Sequence, residues 1–331
     1  MTTNEDSYNY SYKTEERTAL VLPGGGAKGA FQAGVLQVLR EQGFTYDVIS
    51  GISVGSLNGA MLATDQFEMM IEVWKHLTPK QVHREKTLAG LVRRYLQYKI
   101  GLGKPPVSKY DNGPLHRLLR KHLQGRPTTV PFTFGYVKLE TGRYIRASIP
   151  HQEPHTIDED DISRILASTA IPAIFNPVPV NGQKCVDGGL RDISPIREVL
   201  PYNPHRAIII PTKPLDGLPR PVTSRDIIDI AFRSIDIMMD EIFYEDIARF
   251  LTINHLVRQA GNEGIELRHR TGRIYRHVHP MIIAPKKSLG DAMDFSNDNV
   301  RRLMQVGRDR AREVLSMEPF PKPMIWFRET L

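Results

Sequence analysis

The chain has 331 residues, 40% of them hydrophobic and 24% charged, with a single cysteine and a net charge of +7. Such a composition supplies ample apolar residues for a core, and the length fits one large α/β domain or two small ones. Because Cys185 stands alone, an intramolecular disulfide framework and a cysteine-based metal site are excluded, and a reducing compartment is the default.

The first seventeen residues, MTTNEDSYNYSYKTEER, lack an apolar h-region and read as a polar mobile tail, not a signal peptide. No stretch approaches ~20 consecutive apolar residues, so no membrane-spanning segment is expected. TALVLP (Thr18 to Pro23) reads as a buried strand that enters the run GGGAKG. A helix follows, with Phe31, Val35, Leu36, Val38 and Leu39 at roughly helical spacing, and it ends before Gly43. YDVISG (Tyr46 to Gly51) reads as a second buried strand, turning sharply into the small-residue helix start ISVGSLNGAMLAT.

Residues 78–131 break the composition and read as a basic helical insertion. From Lys80 to Arg126 there are twelve Lys or Arg against only Glu85 and Asp111, a net +10 that leaves about −3 for the rest of the chain. Such a block attracts nucleic acid or an anionic bilayer, or is a solvated helical face. Within it, LAGLVRRYLQYKI sets Leu88, Leu91, Val92, Tyr95, Leu96 and Ile100 near one helical face, with Arg93, Arg94 and Gln97 elsewhere. That pattern suits a membrane-surface helix or a cap helix packed on the core.

Phe132 to Ser148 reads as a hairpin around Thr141-Gly142, and DEDDISRILASTA as a helix stopped by Pro172. VPVNGQKCVDGG is a second hairpin that leads into a glycine turn, and RAIIIPT (Arg206 to Thr212) is another buried strand. A long helical region runs from Ser224 to about Gln259. Its stretch from Ile227 to Phe243, broad and apolar with Met238 and Met239, suits an acyl-pocket wall or a buried core helix. IELRHRTGRIYRHVHPMIIAP reads as a strand pair around Thr271-Gly272, and the last helix spans Ser296 to about Leu315. Short apolar strands alternating with helices predict a mostly parallel sheet covered on both sides.

The chemistry gathers at three turns. GISVG (Gly51 to Gly55) has the G-x-S-x-G pattern of a nucleophile elbow, in which small residues flank a serine exposed between a strand and a helix. That places Ser53 at the carboxyl end of a strand, where ligands bind in open α/β sheets. A serine needs a base, and Asp187 in CVDGGL projects from a strand–glycine turn suited to that role. Ser53, Asp187 and then His277 or His279 would give a rival serine–acid–histidine order, although those histidines also read as structural or surface residues.

Gly24, Gly25 and Gly26 lie at the first strand–helix turn and can offer N–H groups to an oxyanion. A phosphate loop would want Ser or Thr where Ala30 stands. GGGAKG also satisfies the dinucleotide pattern G-x-G-x-x-G, with Asp47 about twenty residues on as its acidic partner.

GGGAKG, GISVG and DGG in this order resemble the patatin-like phospholipase family, as does ILASTAIPAIFNPVPVNGQKCVDGGL. The resemblance covers about Ala19 to Thr212. It implies a three-layer α/β/α sandwich with a mostly parallel central sheet, here one domain over 18–331 with its C-terminal portion from 213. It further implies Ser53 as nucleophile, Asp187 as its proton acceptor in a dyad without histidine, and Gly24, Gly25 and Gly26 as the oxyanion hole. Lys28, Gly29, Gly51, Gly55, Gly188 and Gly189 support these motifs.

The activity implied is hydrolysis of fatty-acyl esters by a phospholipase A, lysophospholipase or related esterase, with no metal or organic cofactor. The partners expected are a phospholipid or other fatty-acyl ester and an anionic membrane surface met through 80–126, but no nucleic acid. The expected location is cytoplasmic, with peripheral contact to a membrane. The alternative is a non-catalytic lipid-binding or regulatory protein on the same fold.

Overall fold

The computed structural model describes residues 17–103, 105, 107–151, 155–216 and 227–317. The mobile tail expected over 1–17 lies outside the described residues apart from Arg17, as do 217–226 and 318–331 of the C-terminal portion.

In chain order the elements are β1 (Thr18–Leu22), α1 (Gly29–Glu41), β2 (Val48–Gly51), α2 (Val54–Ala63), α3 (Phe67–His76) and α4 (Pro79–Val82). Next come β3 (Arg84–Glu85), α5 (Leu88–Lys99), β4 (Tyr110–Asp111), α6 (Gly113–Leu123), β5 (Phe132–Lys138), β6 (Tyr144–Ile149) and α7 (Glu159–Ser168). The rest are β7 (Val178–Val180), β8 (Gln183–Asp187), α8 (Ile196–Val199), β9 (Arg206–Ile209), α9 (Ile227–Asn262), β10 (His279–Ile282) and α10 (Asn297–Leu315).

The central sheet runs β10-β9-β1-β2-β5-β8-β7, with β6 also on β5. β10, β9, β1, β2 and β5 are mutually parallel, whereas β6 and β8 run antiparallel to β5. Side-chain alternation assigns the strands' two faces to two cores. Leu20, Leu22, Ile49, Ile208 and Ile210 join the core under α1, α2, α3, α6, α7 and α10. Ala19, Val21, Val48, Ala207 and Ile209 join the other, with Ile196, Phe243, Ile247 and Leu251 of α8 and α9. This is the three-layer α/β/α arrangement expected. Both hairpins form, β5–β6 around Gly142 and β7–β8 around Gly182.

The register around β5 positions the site. β6 occupies one edge of β5 from Phe132 to Val137. The other edge is shared in succession: β2 pairs with it up to Gly51↔Phe134, and β8 pairs from Lys138↔Cys185 to Tyr136↔Asp187. Since β2 is parallel and β8 antiparallel to β5, their carboxyl ends meet head-on. Only two residues of β5, about 7 Å, separate those registers.

Two expectations fail after α9. The run Arg273 to Met281 is not an alternating strand: only His279–Ile282 is, and Arg268↔Ile274 is an isolated bridge. β10 pairs in parallel with β9, so its partner is the central sheet and not a hairpin neighbour. The turn residues Thr271-Gly272 were therefore a weaker determinant than the open edge of β9.

α1 and α10 cross at two glycines. A Cβ on Gly34 would lie 2.0 Å from the Met304 carbonyl oxygen, and one on Gly307 2.2 Å from that of Phe31. Gly34→Ala or Gly307→Ala should therefore force the helices apart and cost about 1–3 kcal/mol, measured by denaturant or thermal unfolding. Gly261→Ala, in α9 with open space around it, should be neutral or slightly stabilising in the same measurement.

Candidate active site

The elbow is built by close backbone approach. Ser53 has φ 54° and ψ −125°, a left-handed conformation that a non-glycine residue adopts only under constraint. A Cβ on Gly51 would fall 2.2 Å from the Gly55 carbonyl oxygen, and one on Gly55 1.8 Å from that of Leu22. Gly55 thus lets α2 start directly against β1, which lifts Ser53 over the sheet end. The Ser53 N–H donates to Ser168 Oγ at 3.2 Å, and Ser56 Oγ–H donates to the Ser53 carbonyl at 2.6 Å.

Asp187 ends β8 and is fully buried. Its Oδ1 accepts from the Gly189 N–H at 2.7 Å, while Oδ2 is buried without a hydrogen bond of settled geometry. The Ser53 side chain bears on this carboxylate. Burial pushes the Asp187 pKa up from 3.8 to about 7, opposed by Ser53 and by the Gly189 N–H. Gly188 packs on the Gly135 carbonyl of β5, where a Cβ would lie at 2.4 Å.

The glycine loop is the third element. A Cβ on Gly24 would lie 3.2 Å from that of Ser53. The Gly24 N–H donates to the Ile193 carbonyl at 3.3 Å, whereas the N–H groups of Gly25 and Gly26 make no hydrogen bond to the described residues. Both residues are half-exposed. Gly26 is left-handed (φ +59°), with a Cβ position 2.3 Å from the Ala292 carbonyl oxygen.

Thr212 braces the loop, its hydroxyl donating to the Gly24 carbonyl and its side chain filling the space beside Gly25. Gln32 Nε2 donates to the Pro23 carbonyl at 2.8 Å, and Asn58 Nδ2 to the Gly29 carbonyl at 3.1 Å, so both loop ends are tied down. Gly29 itself lies against Val54 and Trp74. Lys28 stands half-exposed beside the loop, and its charge helps burial to push the Lys213 pKa down to about 8.

From Ser53 and Gly26 opens a cavity of about 850 Å³, its mouth included. It is walled by Val54, Leu57 and Met61 of α2, Met70, Val73 and Trp74 of α3, and Leu115, Leu118, Leu119, His122 and Leu123 of α6. Phe175, Met293 and Phe295 complete the wall. Gln66 Nε2 donates to Thr64 Oγ1 at 2.8 Å and to the His122 carbonyl at 3.0 Å, joining the far ends of α2 and α6. The cavity therefore runs between these helices, with Met61 about 12 Å from Ser53 along the helix axis.

Alternatives that the sequence left open are closed by the structure. Met238 and Met239 do not line the cavity: Met238 is exposed, and Met239 lies against Gly189. His279 pairs with Arg206 at the amino end of β9, the opposite end of the sheet from Ser53, and His277 stacks edge-on against it. Neither histidine reaches the site. Asp47 precedes β2 and accepts from the Thr18 N–H at 2.7 Å, again at the amino end, so it cannot serve a dinucleotide at the glycine loop.

Sequence reasoning missed Thr212 and the α6 wall. Thr212 carried a signal, standing at the end of the apolar run Arg206–Thr212. The wall was hidden because the repeat Leu115, Leu119, Leu123 reads equally as ordinary core.

Because Asp187 holds its proton more tightly when folded than when unfolded, the fold loses stability as pH rises between about 4 and about 7. Asp187→Asn should remove this loss: near pH 4 the two proteins unfold alike, and above pH 7 the variant is more stable, by at most on the order of 4 kcal/mol.

A family model for patatin-like phospholipase matches residues 20–200. The triacylglycerol lipase ptl2 of Schizosaccharomyces pombe is 27% identical over 236 residues, 63% of this chain and 34% of the relative. The lysophospholipase NTE1 of Saccharomyces cerevisiae is 29% identical over 188 residues, 54% of this chain and 10% of the relative. The chain thus spans about a third or less of the length of these curated relatives. Among solved structures, VipD from Legionella pneumophila superposes with a TM-score of 0.44 at 15% identity, covering 90% of this chain and 66% of that one. With the family model matched across β1, the elbow and the Asp187 turn, the chain belongs to the patatin-like phospholipase family.

Proposed function

We propose that this chain hydrolyses fatty-acyl esters of lipids, in the manner of a phospholipase A or lysophospholipase, through an acyl-enzyme on Ser53. The observation that carries this reading is the apolar cavity that opens at Ser53 and is lined by Leu57, Met61, Leu115 and Leu119. The lipase and lysophospholipase names of the two curated relatives agree with such a substrate.

In this mechanism Ser53 Oγ attacks the ester carbonyl while its proton passes to Asp187. The tetrahedral oxyanion lies against the Gly25 and Gly26 N–H groups, with Gly24 holding the loop in place and Lys28 adding positive potential. One oxyanion donor is typically worth ~3 kcal/mol of barrier. Asp187 then returns the proton to the departing alcohol, leaving the acyl group on Ser53. A water follows the same course in reverse, with Asp187 again accepting a proton. A pKa of about 7 makes this carboxylate a far better base than an exposed one, at the cost of being half protonated at neutrality. Activity therefore rises with pH through about 7.

The test is steady-state hydrolysis of nitrophenyl esters of increasing chain length. Ser53→Ala and Asp187→Asn should lose activity by on the order of 10³-fold or more, and a His277→Ala/His279→Ala double variant should keep it. Wild-type turnover no faster than that of Ser53→Ala on every ester would leave the non-catalytic lipid-binding alternative standing.

We also infer that α5 meets an anionic bilayer. Val92, Tyr95, Leu96, Tyr98 and Ile100 are all 46–72% exposed, so the apolar face is not packed on the core. Arg93 and Arg94 are exposed beside them, while Arg84 and Lys109 pair with Asp111 and Glu85, the two acids of the block. Val92→Ser/Leu96→Ser should weaken sedimentation with anionic vesicles at least about tenfold, and leave hydrolysis of a short soluble ester unchanged.

A further inference from the structure

Behind the Asp187 turn lies a group of ionisable side chains that the chemistry above does not use. Asp192 follows that turn, Glu198 belongs to α8, and Asp246 reaches in from α9. Arg197 Nη2 pairs with Asp192 Oδ2 at 2.9 Å, and Arg146 of β6 pairs with Glu198. Asp192 and Glu198 are 1% and 2% exposed. Tyr144 of β6 faces Glu198, and burial raises its pKa far enough to keep the hydroxyl neutral. Three carboxylates thus share two guanidinium groups that are themselves more than half exposed, and neutralising the third acid calls for one more proton.

The unpartnered atoms say where that proton goes. Asp192 Oδ1 and Asp246 Oδ2 are both buried without a hydrogen-bond partner, and the two side chains lie within hydrogen-bonding reach of each other. Facing carboxylate oxygens repel unless one of them is protonated. Asp246 also faces the N–H groups of Ile193 and Ser194. The Ile193 carbonyl in turn accepts the Gly24 N–H. One side chain of α9 therefore lies against the segment that joins the Asp187 turn to the glycine loop.

We propose that Asp246 is a positioning residue: a proton shared with Asp192 clamps α9 to Ile193–Ser194 and fixes the glycine loop relative to Asp187. The kinetic consequence rests on the roles proposed for Asp187 and the loop; the clamp itself does not. Burial raises the pKa of both acids, helped by repulsion from Asp192 at Asp246 and from Glu198 at Asp192. The clamped state accordingly binds more protons than the open one, and its advantage is lost as pH rises from about 4 to about 7. This opposes Asp187, which must lose its proton to work.

Asp246→Asn replaces the shared proton with a permanent amide donor, keeps an acceptor for the two N–H groups and cannot titrate. The experiment compares wild type, Asp246→Asn and Asp246→Leu by amide hydrogen exchange over 188–194 and 239–251, and by kcat and KM on a soluble nitrophenyl ester, at matched pH values near 5 and near 8. Near pH 5 wild type and Asp246→Asn should be equally protected. Near pH 8 Asp246→Asn should be the better protected and should match or exceed wild type in kcat, with KM unchanged. Asp246→Leu should lose on the order of 10- to 100-fold in kcat near pH 5, and less near pH 8, where wild type is itself unclamped. Equal protection of wild type and Asp246→Asn at both pH values would overturn the clamp, whatever the activity. A wild type without esterase activity whose protection still diverges from Asp246→Asn near pH 8 would keep the clamp and sink the hydrolase reading.

Discussion

The site depends on one edge of β5. Because β6 fills the other edge, β2 and β8 must share this one end to end, and their opposite directions bring two carboxyl termini face to face. Ser53 continues from one and Asp187 ends the other, so two residues 134 positions apart in sequence are held by the hydrogen-bond ladder of a single strand. Each ladder bond is modest in net worth, but backbone groups buried in a sheet cannot exchange partners without exposing unsatisfied donors and acceptors. The register is consequently stiff, and so is the pairing of serine with carboxylate.

That rigidity carries a burden. A carboxylate at the dry junction of three strands resists ionisation, and Asp187 has only the Gly189 N–H and Ser53 to favour its charge. The neighbouring Asp192, Glu198 and Asp246 face the same difficulty and meet it with two arginines and a shared proton. The glycine loop is a turn whose ends are fixed by Gln32, Asn58 and Thr212. Polar groups in this layer are fixed by other polar groups, which is how a low-dielectric site keeps its dipoles aimed.

The basic insertion has two faces with different physics. α6 buries Leu115, Leu119 and Leu123 and forms a wall of the cavity. α5, a few residues earlier, leaves Val92, Tyr95, Leu96 and Tyr98 in solvent among arginines. No helix among the described residues is long and apolar enough to cross a membrane. One segment of sequence thus walls the cavity and presents an apolar, cationic outer surface.

Much of this protein could be read from its residues alone. The glycines at 24–26, 51, 55 and 188–189 mark places where backbone approaches backbone, and such steric needs are local, so the three turns were legible. Alternating apolar strands and helices likewise fixed the three layers, because periodicity records which face is buried. Other features depended on residues far apart in the chain. Whether His279 or Asp187 faces Ser53 is decided by which end of a strand each occupies and by the strand order. That Gly24 turns its N–H to Ile193, that Met239 packs on Gly189 instead of lining the cavity, and that Asp246 meets Asp192 all follow from how α9 crosses the sheet. An amphipathic repeat such as Leu115, Leu119, Leu123 states only that a face is apolar. Packing alone determines whether that face meets core, cavity or solvent.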